Sequence, residues 1–410
     1  MTPLPFLSIL FFFFFFFSAL LPPHLISSSR SLTESSLITS PDTDGICASM
    51  VTPHGYKCQE FQVKTEDGYI LSMQRIPEGR IAGGGGGSRQ PVLLQHGILM
   101  DGMTWLLNSP EECLAFVLAD RGFDVWIANT RGTKWSRQHV TLDPSSRAYW
   151  NWSWDELVMY DLPATFDFVF SHTGQKLDYV GHSLGTLIAL ASFSEWKLVD
   201  KLKSAALLCP VAYLSHMTTP IGILAARAFA GEITSWLGMA EFNPKGVAVT
   251  KFLNALCHNP GVDCYDLMTS FTGHNCCLNG STVELFLKYE PQSTSTKTMV
   301  HLAQTFRDGV LTKFNYENTV VNLEHYGQDK PPVYNISNIP NNLSLFLSYG
   351  GKDSLSDVKD VQLLLDDLKF HNGDKLVVHY VKDFAHADFV MGVDAKEMVY
   401  DAVVSFFDRK

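Results

Sequence analysis

Apolar and polar positions change their period several times along the chain, and each change marks an element. TEDGYILSMQRIP (65–77) alternates on either side of Asp67-Gly68, which predicts two strands around a turn. PVLLQHG (91–97) is a continuous apolar run closed by glycine, as expected of a strand buried on both faces. CLAFVLADRG (113–122) reads as a helix ended by Gly122, and FDVWIANTRG (123–132) as the next buried strand. DELVMYDLPATFDFVFSHTG (155–174) fits a helix with a kink or break at Pro163. LDYV (177–180) predicts a strand running into YVGHSLGT (179–186), and LGTLIALASFSE (184–195) a helix leaving it. Later come a strand in NLSLFLSYGG (342–351), a helix in DVKDVQLLLDDL (357–368), a strand in KLVVHYV (375–381) and an amphipathic helix in KEMVYDAVVSFF (396–407). Such alternation predicts an α/β fold: a mostly parallel sheet flanked by helices.

Between Pro210 and Asp329 the strand pattern stops. Met217, Phe229, Trp236, Leu237 and Met239 stand in short helical stretches broken by Gly and Pro. The segment predicts an all-helical subdomain with a small core, suited to cap an apolar-lined site. The expected organisation is a core over 45–209, a helical cap or lid over 210–330, and the rest of the core over 331–410. Gly83–Gly87 reads as a flexible surface loop, and no internal repeat is visible.

The N-terminus bears on the compartment. Leu4 to Leu21 is almost wholly apolar, contains the run Phe11–Phe17 and ends at Pro22-Pro23. This predicts a secretory signal within residues 1–28, although no basic residue precedes Arg30 and no clear cleavage motif follows. A retained membrane anchor is the alternative. A polar, Ser/Thr-rich stretch then reaches Asp44, the expected poorly ordered start of the mature chain. Glycosylation sequons at Asn151, Asn279, Asn335 and Asn342 agree with secretion. So do eight cysteines, with Cys47 and Cys58 expected to pair and some pairing expected among Cys257, Cys264, Cys276 and Cys277. Cys113 and Cys209 lie in apolar surroundings suited to buried thiols. The expected location is the secretory pathway, ending outside the cell or in a vacuole or lysosome. No C-x-x-C pair with matching His or Cys partners is present, so a structural zinc is not expected, and the serine chemistry set out below calls for no metal or organic cofactor.

Composition narrows the partners. With 46% hydrophobic and 18% charged residues the chain is globular, and a formal charge of −11 argues against nucleic acid or anionic membranes bound through a basic surface. Uncharged and apolar ligands remain.

The chemistry centres on the G-x-S-x-G in YVGHSLGT. A nucleophile elbow needs a strand, a sharp turn with serine at its tip, and a helix. The serine takes an unfavourable positive φ, so small residues must flank it; Gly181 and Gly185 do, around Ser183. A serine hydroxyl needs a base to take its proton and a carboxylate to orient that base. Asp353 follows a buried strand and a Gly-Gly turn, and His386 follows the last strand, in the chain order this fold uses. Asp357, Asp383 and Asp388 compete for the acid role. The oxyanion needs two donors, for which the backbone N–H groups of Leu184 and Ile98 are the candidates. His96 and His182 flank these positions and are expected to be buried and hydrogen-bonded rather than bases.

QHGILMDGMTW, FDVWIANTRGTKWS, YVGHSLGT, YGGKD and FAHADF together resemble the acid lipase family: the gastric and lysosomal lipases and the plant triacylglycerol lipases. The resemblance extends to YKCQEFQVKTEDGYIL and FRDGVLTKFNYE, so it spans nearly all of the chain after the signal. It implies an α/β-hydrolase fold with a cap, acting on fatty-acyl esters of acylglycerols or sterol esters through an acyl-enzyme. It also implies Ser183, Asp353 and His386 as the catalytic set. Leu184 stands where animal members usually carry Gln, and the cap cysteine pattern is altered. The expected partners are a neutral lipid substrate and, transiently, a lipid surface met by the cap. An acyltransferase or carboxylesterase would use the same triad. A non-catalytic lipid receptor on this fold would be expected to lack a triad member.

Overall fold

The computed structural model describes residues 45–80, 88–229, 239–247, 251 and 267–409. The expected signal over 1–28, the loop Gly83–Gly87, Trp236, Leu237, Cys257 and Cys264 lie outside the described residues.

Alternating side chains explain the sheet. Its strands are β1 (Gln59–Lys64), β2 (Tyr69–Ile76), β3 (Pro91–Gln95), β4 (Asp124–Ala128), β5 (Gln138–His139), β6 (Leu177–His182) and β7 (Leu202–Leu208). A separate small ladder joins β8 (Glu241–Phe242) to β9 (Thr294–Ser295), and β10 (Ser344–Gly350) and β11 (Leu376–Val381) complete the main sheet. The main order is β1-β2-β4-β3-β6-β7-β10-β11, with β5 paired to β2. From β4 to β11 every neighbouring pair is parallel; β1 and β2 form the antiparallel edge hairpin, turning at Asp67-Gly68.

Leu93, Trp126, Tyr179, Ala205 and Leu345 face one side of the sheet, packing with Leu162, Phe166 and Phe193 from the helices Leu162–Thr173 and Leu184–Ser194. Their sequence neighbours Leu94, Ile127, Val180, Ala206 and Phe346 face the other, packing with the helices Leu114–Asp120 and Asp401–Phe407. Period-two alternation within runs that look uniformly apolar thus builds a three-layer core. The expected parallel sheet flanked by helices is present.

Two features depart from the sequence expectations, and a third takes a form that they leave open. Strand β7 was not anticipated, because KSAALL lacks the β-branched and aromatic residues that announce a strand. The stretch 210–330 is not all helical, since β8 and β9 pair within it. The interruption expected at Pro163 takes the form of a widened turn. The turn before it, Leu157–Asp161, widens into a π-turn in which the Leu162 N–H bonds the Leu157 carbonyl, and Pro163 falls in the first turn of the following α-helix. An N–H is not needed there.

Candidate active site

The chain turns sharply where β6 ends. Ser183 sits at φ 54° and ψ −116°, directly before the helix Leu184–Ser194. Its own N–H is held by the Leu208 carbonyl of β7 at 3.1 Å. A Cβ on Gly185 would lie 2.5 Å from the Gln95 carbonyl oxygen, and one on Gly181 would lie 2.8 Å from Gly185, so helix and strands approach too closely for any side chain there. Non-glycine residues at positive φ carry strain that the surroundings must hold in place. Ser183 is nearly buried, and its hydroxyl donates to no acceptor among the described residues.

Asp353 and His386 come from the loops after β10 and β11, and the structure brings them together. His386 Nδ1 lies 2.9 Å from Asp353 Oδ2 and 3.1 Å from Oδ1. Asp353 Oδ1 also accepts the N–H groups of Leu355 and Ser356 at 2.9 and 2.8 Å. Burial alone would push this carboxyl up; the His386 ring and those two N–H groups outweigh it and hold Asp353 below its usual range. An ionised carboxylate only accepts, so Nδ1 carries the proton and Nε2 is left with a lone pair. Among the competitors, Asp357 caps the helix Val358–Asp367 and Asp383 is exposed. Asp388 is spent on the N–H groups of Ala385, Cys276 and Cys277.

The oxyanion candidates stand beside the serine. Neither the Ile98 nor the Leu184 N–H meets an acceptor among the described residues. A Cβ on Gly97 would come within 3.1 Å of Ser183 Cβ, so the loop bearing Ile98 runs directly past the serine. His96 is buried, with Nδ1 2.8 Å from the Gly97 carbonyl and Nε2 3.1 Å from the Thr130 N–H. Nε2 accepts, so Nδ1 carries the proton; burial lowers the ring to about 4 and keeps it neutral. His182 is buried too, with Nε2 3.1 Å from the His386 carbonyl.

Sequence reasoning missed several supports of this site. The buried Cys209, at φ 52°, lies with its sulfur 3.6 Å from that same His386 carbonyl. Burial, then Asp353, pushes its thiol well up, so it stays an S–H donor. The Thr272 carbonyl accepts the His386 N–H at 3.1 Å and the Ser354 N–H at 3.4 Å, registering both loops against one segment of 210–330. An apolar cluster of Met217, Ala226, Phe242 and Ala303 packs against Leu99 and Leu355, which stand in the loops of Ile98 and Asp353. None of these long-range pairings leaves a local trace in the sequence.

Cys47 and Cys58 form a disulfide, and Cys113 is buried and free. Cys276 pairs with its neighbour Cys277, a partner that spacing did not single out. Among the described residues, two groupings bring ligand-type atoms within 4.8 Å, His182–Cys209–His386 and Cys276–Cys277–Asp388. In the second the sulfurs are bonded to each other, and in the first His182 Nε2 already serves the His386 carbonyl. Asn151, Asn279, Asn335 and Asn342 are all exposed; Asn279 and Asn335 also cap the turns that follow them. Among the described residues no helix is long and apolar enough to cross a membrane.

Residues 47–109 match the model of a partial alpha/beta-hydrolase lipase region, and residues 90–262 that of the alpha/beta hydrolase fold. Triacylglycerol lipase 2 of Arabidopsis thaliana is 62% identical over 89% of this chain and 88% of its own length. Human gastric triacylglycerol lipase is 36% identical over 90% and 92% of the two chains. Human lysosomal acid lipase/cholesteryl ester hydrolase is 35% identical over 90% and 92%. Among solved structures, a soluble variant of monoglyceride lipase from Saccharomyces cerevisiae shares the fold at a TM-score of 0.54 and 14% identity, covering 84% of this chain and 94% of its own.

Proposed function

The chain belongs to the acid lipase family of α/β-hydrolases, and from that premise we propose that Ser183, Asp353 and His386 are its catalytic set, cleaving fatty-acyl esters of triacylglycerols or related neutral lipids. It is a lipase-type carboxylic ester hydrolase. The observation that carries the residue assignment is the ionised Asp353 on His386 Nδ1, which leaves Nε2 as a base, together with a serine held at positive φ between a strand and a helix.

In this reading Nε2 takes the Ser183 proton as the oxygen attacks the acyl carbonyl. The negative charge that forms on the carbonyl oxygen meets the unpaired N–H groups of Ile98 and Leu184. His386 returns the proton to the departing alcohol, and an ester joins Ser183 to the fatty acid. Water then enters, His386 takes its proton, and the same steps in reverse release the acid. Asp353 stays ionised and keeps the imidazolium oriented. The apolar cluster of Met217, Phe242, Leu99 and Leu355 supports an acyl-chain site beside these groups and a cap that meets lipid surfaces. The apolar N-terminal segment, the exposed sequons and the Cys47–Cys58 disulfide support passage through the secretory pathway.

Ser183→Ala, assayed on triolein and on a short soluble ester, tests the assignment. Both activities should vanish, and undiminished turnover of either would reject Ser183 as nucleophile. Wild-type activity on the soluble ester alone would make the protein a carboxylesterase rather than a lipase.

A further inference from the structure

Behind the loop that carries Ile98, two carboxyl side chains meet in the interior. Asp101 and Glu290 are both fully buried. The Asp101 N–H donates to Glu290 Oε1 at 2.9 Å, and Asp101 Oδ1 accepts the Met103 N–H at 2.8 Å. The other two oxygens, Asp101 Oδ2 and Glu290 Oε2, have no hydrogen-bond partner among the described residues. A second strut runs alongside: the Gln292 N–H donates to the Leu99 carbonyl at 2.7 Å, and Gln292 Oε1 accepts the Lys134 N–H at 2.9 Å. The segment around Glu290 is therefore tied to the loop at two points flanking Met100.

The charged groups around the pair do not neutralise it. Lys134 reaches its ammonium over the Trp135 ring at 4.1 Å, and Lys245 bonds the Tyr289 carbonyl at 3.3 Å. Neither makes an ion pair with Asp101 or Glu290 among the described residues, and both lie close enough only to oppose the effect of burial in part. On the β4 side the neighbour is the neutral Asn129, which accepts the Gly102 N–H at 2.8 Å. Glu290 Oε1 is held on the Asp101 backbone, so the two buried carboxyls are close enough that charge on one opposes charge on the other, and a proton on the pair relieves both burial and repulsion. Burial pushes Asp101 up to about 6; burial and then the Asp101 charge push Glu290 well up.

We propose that Asp101 and Glu290 are positioning residues: a proton shared between their carboxyls latches the loop bearing the Ile98 N–H to the segment at Glu290, and losing that proton to solvent releases the loop. This rests on Ile98 as an oxyanion donor. A released loop would misplace a donor that matters in the transition state, so the effect falls on kcat rather than KM.

The test is the pH profile of kcat and KM on a short soluble ester from pH 4 to 9, for the wild type, Glu290→Gln and Asp101→Asn. Each amide supplies the bridging N–H at every pH and keeps the remaining contacts. Wild-type kcat should fall on the basic side by tenfold or more with KM little changed. Both variants should move that limb upward by at least one pH unit or abolish it. Limbs in both variants that superimpose on the wild type would overturn the latch, as would a wild-type kcat that stays flat to pH 9. If one variant fails to fold, the other decides. Labelling of wild-type Ser183 by a serine-directed probe at pH 5 separates the outcomes: labelling with unshifted limbs rejects the latch alone, and no labelling rejects the proposed catalytic set with it.

Discussion

His182 and His386 lie ring against ring, centroids 4.8 Å apart, and the Nε2–H of the first donates to the backbone carbonyl of the second at 3.1 Å. A carbonyl oxygen only accepts, which sets the His182 tautomer and leaves its Nδ1 without a partner among the described residues. Burial, reinforced by His386, lowers His182 to about 3, so the ring is neutral above that pH. The residue beside the proposed nucleophile thus steadies the backbone of the proposed base. His182→Phe keeps a ring there but removes the donor, which costs about 1–3 kcal/mol. We expect kcat on a soluble ester to fall roughly 10- to 100-fold with KM nearly unchanged. An unchanged kcat would show that the Cys209 S–H suffices to hold the carbonyl.

Asp353→Asn should retain the fold and lose the orientation of the base. An amide in this place offers His386 the wrong tautomer, and kcat should drop by about 10⁴-fold. A loss below tenfold, measured on a protein with a native circular dichroism spectrum, would shift the acid role to another carboxylate.

The stability of the core should depend on mild acidity. Burial, against the partial relief of Ser204 and Lys203, raises Asp178 to about 6, and burial raises Asp155 to about 6 against its bonds from Phe314 and Tyr334. A carboxyl raised in the folded state binds protons that the unfolded chain has released. Its contribution is therefore complete below the ordinary carboxylate range near pH 4 and is lost as pH rises through about 6. Thermal melts between pH 4 and 8 should show the melting temperature falling over that window. Asp178→Asn and Asp155→Asn should each flatten the slope, and slopes unchanged in both would contradict the assignment.

Arg131 is buried against the carboxylates of Asp161 and Asp67 at 2.6 Å each, with its guanidinium 3.8 Å above the Tyr69 ring. It ties the β1–β2 hairpin to the π-turn before Pro163. Arg131→Met leaves Asp161 buried and unpaired, a loss of about 3–5 kcal/mol. Adding Asp161→Asn to that variant should restore part of the loss in denaturant melts, because the stranded charge is then removed. Arg131→Lys should rescue less than its charge suggests, since an ammonium cannot reproduce the forked contacts.

How much of this was legible in the sequence depended on the range of the interaction involved. The elbow could be read because its requirements are local: Gly181 and Gly185 at fixed offsets, an apolar run before and a helical pattern after. Asp353 and His386 could be read because the order of parallel strands puts each at a strand's end. Strand β7 escaped because alanines and leucines fit a helix as well as a strand, and only pairing with β6 and β10 decides. The Asp101–Glu290 pair, 189 positions apart, could not be read at all. Neither residue carries a local signal, and each alone would pass for a surface charge. Some pairing was expected among Cys257, Cys264, Cys276 and Cys277, but which partners join could not be read, nor could the placement of Asp388 beneath the Cys276 and Cys277 N–H groups.

The Thr272 carbonyl, which accepts from both the Ser354 and His386 N–H groups, has a consequence for the order in which the protein is made. A chain emerging from the ribosome presents Ser183 first, then the segment at Thr272, and only afterwards the two loops that complete the proposed machinery. The template is therefore synthesised before the parts it aligns. On the proposed assignment, unfinished chains hold the serine without its base, and hydrolytic competence would arrive only when the last sheet strand has docked and its loop has found that carbonyl.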